Sequence, residues 1–132
     1  MFNPTEIVIQ AFVQHLQNMY GQIYGVLEPA YPDIIGFVAR LSLENIANND
    51  AAYHDMNHTI MVTLVGQEIL RGKHTRDGGV TPRYWLLFTI SLLCHDIGYV
   101  RGGYVGATAM DIMSATKTVI SRPYAREPRT HP

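Results

Sequence analysis

Thr81-Pro82-Arg83-Tyr84-Trp85-Leu86-Leu87-Phe88-Thr89-Ile90-Ser91-Leu92-Leu93-Cys94-His95-Asp96-Ile97-Gly98 is the stretch that decides the fold. Thr81 followed by Pro82 reads as a helix cap and a first-turn proline. The residues that follow are apolar almost all round, so the segment from about Pro82 to Ile97 reads as a helix buried on most sides. At its end a histidine and an aspartate stand side by side, and Gly98 lets the chain turn away. A charge at the end of so apolar a segment needs a metal, a cation or several hydrogen-bond donors.

Working back from that helix, helical signals recur and no strand pattern of comparable quality appears. Asn3, Pro4 and Glu6 form a start signal of cap, first-turn proline and reaching carboxylate. Val8, Phe12, Leu16, Met19 and Ile23 keep helical spacing behind it, for an amphipathic helix of roughly 20 residues. Gly25 and Glu28-Pro29-Ala30-Tyr31-Pro32 break it. A second helix starts near Asp33, with Ile34, Val38, Leu41 and Ile46 on one face, and Asn48-Asn49-Asp50 closes it as a polar loop. A third carries His58, Val62, Val65 and Ile69 at 3–4 spacing to about Gly72. If Asn57 caps it, His54 falls in the preceding loop. Lys73 to Val80 is a polar loop whose basic residues read as solvated. The expectation is an all-α bundle of about 4–5 helices.

The 132 residues suit one domain with a real core. An apolar share of 47% with 16% charged residues places the chain among globular proteins rather than disordered ones. A formal net charge of -1 makes no electrostatic case for nucleic acid. One cysteine excludes an internal disulfide framework and fits a reducing cytoplasm. No apolar run is long enough for a bilayer, and the N-terminus lacks the pattern of a signal peptide. Residues 1–120 read as the domain, with Ala107 to Ile120 able to form one small-residue helix. Residues 121–132, rich in proline and arginine, read as an unpacked tail.

Earlier in the chain stands Tyr53-His54-Asp55-Met56-Asn57-His58, with two histidines four apart and the second of them 37 residues before His95. On a helix that spacing shares a face. Histidine and carboxylate are borderline-to-hard ligands, suited to Zn, Mn, Fe or Mg. The two segments together resemble the HD-domain metal-dependent phosphohydrolases, in particular the branch with the cyclic-nucleotide phosphodiesterases, whose first motif reads Tyr-His-Asn-x-x-His. The likeness covers about Tyr53 to Arg101.

The resemblance implies an HD-like bundle in which His58, His95 and Asp96 hold a divalent metal and His54 protonates a leaving oxygen. It implies a small phosphorylated or nucleotide substrate hydrolysed by water that the metal makes acidic. Asp55 stands where the phosphodiesterase motif has Asn, and it opens a rival register of His15, His54-Asp55 and Asp96. The family's last metal-binding Asp comes from a later helix. Here the downstream aspartate is Asp111, 15 residues past Asp96, a short spacing for that role. The bundle is therefore expected to be incomplete at its C-terminus. The competing expectation is a catalytically impaired module that binds metal or forms a homodimer through uncovered core.

Overall fold

A computed structural model describes residues 3–48 and 52–95. Four helices run through them in order: α1 (Pro4–Tyr24), α2 (Ala30–Ala47), α3 (Ala52–Arg76) and α4 (Pro82–Cys94). The described residues contain no strand, and the all-α expectation holds.

α1 begins where its residues dictate. The Asn3 side chain accepts from the backbone N–H of Thr5 (3.1 Å) and Glu6 (3.3 Å), satisfying two donors that the first turn leaves open. It ends at Gly25, whose φ of 62° is a conformation glycine adopts without a Cβ clash. Its inward face differs from the expected one by a small rotation. Ile9, Phe12, Leu16, Met19 and Tyr20 are buried, while Val8 is exposed.

α2 starts three residues earlier than expected, at Ala30 rather than Asp33. Pro32 does not break it because a proline in the first turn gives up an N–H that has no helical acceptor there. Ile35, Val38, Ala39, Leu43 and Ile46 fill its buried side. α2 is the central helix and packs against the other three. Gln17 donates to the Pro32 carbonyl (3.1 Å), and Arg40 pairs with Glu6 (2.6 Å) across the α1–α2 seam. Buried Ser42 donates to the Leu93 carbonyl (2.5 Å), tying α2 to the end of α4.

α3 departs furthest from its expected form. It begins at Ala52, so Asn57 lies inside it and His54 and His58 stand on one helix, a turn apart. Its buried side is not the stripe of His58, Val62, Val65 and Ile69. Thr59, Thr63 and Gln67 are buried with Met56 and Leu70, while Val65 and Ile69 are exposed. The spacing marked an apolar face correctly; the bundle turns that face outward.

α4 opens on Thr81, whose side chain accepts from the Tyr84 N–H (3.1 Å). Trp85, Leu86, Ile90 and Leu93 are buried, with Trp85 and Leu93 fully so, but Tyr84 and Leu87 are exposed. The helix is thus covered on one side rather than on most sides. The turn before it is held from two directions. The Tyr24 hydroxyl donates to the Val80 carbonyl (2.5 Å), and His74 Nδ1 accepts from the Val80 N–H (2.8 Å).

Candidate functional site

Two helix ends bring the expected histidines together. His58 lies in the second turn of α3 and His95 follows the last residue of α4. Their ring centroids are 5.6 Å apart, and both side chains are exposed at the surface. Residues 37 apart in sequence meet because α3 and α4 pack against each other. The contact is close. A Cβ on Gly66 would overlap Leu92 Cδ1, so the missing side chain at 66 lets α4 approach.

The orientation of His95 has a clear cause. Its Nδ1 lies 2.6 Å from the Leu92 carbonyl oxygen. A carbonyl only accepts, so Nδ1 carries the proton and, in the neutral ring, Nε2 carries the lone pair. Metal-binding histidines are commonly held this way, with one ring nitrogen donating to a carbonyl and the other turned to the ion. With metal–nitrogen bonds of about 2.1 Å, two imidazoles on one tetrahedral ion would have centroids ~5 Å apart. The spacing of His58 and His95 fits that arrangement.

The pair is not a complete metal site. Among the described residues no three His, Cys, Asp or Glu side chains converge to hold an ion. Asp96, the expected third ligand, lies outside the described residues, as does Asp111. His54 stands on α3 one turn before His58. Asp55 is in the first turn of α3, where a carboxylate is favoured by the helix dipole. In the rival register, His15 is an exposed residue in the middle of α1.

Neighbouring polar residues have structural uses. Cys94 is buried, and burial pushes its thiol up to about 11, which keeps it protonated and unreactive near neutral pH. His74 is engaged with Val80, and the Lys73 ammonium sits 5.5 Å from the centre of the Tyr84 ring. The sequence reading did not find the Leu92 carbonyl, whose role depends on how a helix ends and leaves no mark in residue type.

The chain belongs to the Npun_R2479-like family, which it matches over residues 2–120. No curated protein and no solved structure matches it. No helix among the described residues is long and apolar enough to cross a membrane.

Proposed function

We propose that this protein is a metal-dependent phosphohydrolase acting on small phosphorylated or nucleotide substrates in the cytoplasm, with a metal held by His58, His95 and Asp96. The observation that carries the reading is the 5.6 Å approach of His58 to His95, with His95 Nδ1 on the Leu92 carbonyl. The donor set of two imidazoles and an adjoining carboxylate suits Zn, Mn, Fe or Mg.

When bound, a divalent ion supplies an acidified water and neutralises phosphoryl charge. The Leu92 carbonyl holds the His95 ring in one tautomer, so its ligand nitrogen is prepared before any ion arrives. His54, one turn from His58, is the group assigned to protonate the departing oxygen, a task suited to a side chain that titrates near neutrality. Both histidines lie at the protein surface, where a substrate would arrive from solution.

Metal analysis of the purified chain after loading with Mn, Zn or Fe tests the site. Wild type should retain an ion and His95→Ala should lose it; equal retention by both would sink the metal reading. Turnover of a phosphodiester with the loaded protein tests the activity. Retention without turnover would favour a metal-binding module over an enzyme. His54→Ala is expected to keep the ion and lose turnover by about 10²–10⁴-fold, the usual contribution of a general acid.

A further inference from the structure

α3 buries three polar side chains and exposes three large apolar ones. Thr59, Thr63 and Gln67 are at most 1% exposed, whereas Met61, Val65 and Ile69 are 52%, 54% and 64% exposed. The outward residues are one turn apart and form a continuous stripe. With Val62, Phe88 and Leu92 they line an open apolar groove of about 410 Å³ between α3 and α4. A stripe of this kind, next to a groove without a charged wall, normally belongs to an interface.

We propose that the groove is covered by the chain's own residues 107–120, docked as a fifth helix. Four observations select this occupant. Leu92 lines the groove and α4 ends at Cys94, so the segment that follows starts within a turn of the site. Ala109, Ile112, Met113, Thr116, Val119 and Ile120 recur at helical spacing and form one uncharged stripe. Asp111, Ser114 and Thr118 fall on the opposite face. The family match continues through residue 120, so this segment lies within the matched region.

Reach is sufficient. Residues 96–106 can span up to ~35 Å when extended. Met61 to Ile69 occupies only ~12 Å of α3. Four glycines, at 98, 102, 103 and 106, let the connection turn back. This inference does not depend on the metal reading, and its test contains no metal.

Cysteine pairs in the whole chain test the proposal, each made in a Cys94→Ala background and treated with a short bis-maleimide. Val65→Cys with Ile112→Cys and Val65→Cys with Thr116→Cys place both partners on the apolar faces. Val65→Cys with Ser114→Cys places one on the polar face. The first two should link within single chains about tenfold faster than the third, at rates independent of protein concentration. Equal rates for the two faces would overturn the docked helix. Links between chains that grow with concentration would assign the groove to a second copy instead. A dye for exposed apolar surface gives a second readout. It should bind several-fold more to Ile112→Asp than to wild type or Thr118→Asp, and no difference among the three would also count against the proposal.

Discussion

At the scale of single residues, burial decides which groups can titrate. Tyr24 is 8% exposed, and burial pushes its phenol up to about 12 from 10. Its neutral form is favoured in the folded chain, so its contribution to stability is complete below pH 10 and is lost as pH rises through 12. Cys94 acts in the same direction between 9 and 11. Alkaline unfolding should steepen across these windows, with Tyr24 contributing a slope that approaches about 1.4 kcal/mol per pH unit. Tyr24→Phe should remove that slope, as seen in the stability difference between variant and wild type from pH 9 to 12. At neutral pH the Cys94 thiol should resist alkylation until the protein is unfolded by denaturant. The histidines were legible at this scale because two of them four apart, with a His-Asp pair after an apolar run, form a recognisable spacing. The tautomer of His95 was not, since it follows from one carbonyl at the end of α4.

At the scale of elements, start signals read well and faces read less well. Asn3-Pro4 and Thr81-Pro82 began helices where the residues indicated, because capping is local chemistry. α2 began early because first-turn proline looks like a breaker in a linear reading but does no harm there. The 3–4 spacing on α3 marks an apolar stripe, and the bundle buries the helix's threonines rather than that stripe. Thr63 gives its hydroxyl to the Thr59 carbonyl (2.8 Å), but Thr59 Oγ1 has no partner among the described residues. Thr59→Val keeps the shape and removes that buried hydroxyl, so it should raise stability by up to about 1 kcal/mol. Ser42→Ala should do the reverse. It strips the buried Leu93 carbonyl of its donor and should cost about 1–3 kcal/mol, seen as a lower urea midpoint with an unchanged slope.

At the scale of the whole molecule, the bundle gathers one core around Trp85, with Tyr24 packed against it in edge contact at 5.9 Å between centroids. Deleting residues 121–132, which lie beyond the family match and carry no aliphatic side chain larger than alanine, should leave the melting temperature within about 1–2 °C of wild type. A clear drop would place the tail in the packed structure. The same measurement on a chain ending at 106 should show a larger loss, because the α3–α4 groove would lose its proposed cover.

The residues alone determined that this chain makes helices and roughly where they begin, and they nominated His58, His95 and Asp96 for the proposed metal site. These are matters of caps, spacing and residue type, each settled within a few positions along the chain. Only the tertiary structure decided which side of α3 faces the core and whether His58 meets His95. Both depend on α4 coming close to α3 at Gly66, a contact with Leu92 between residues far apart in sequence. Periodicity marks that a helix has an apolar face. What that face packs against is decided by the rest of the bundle.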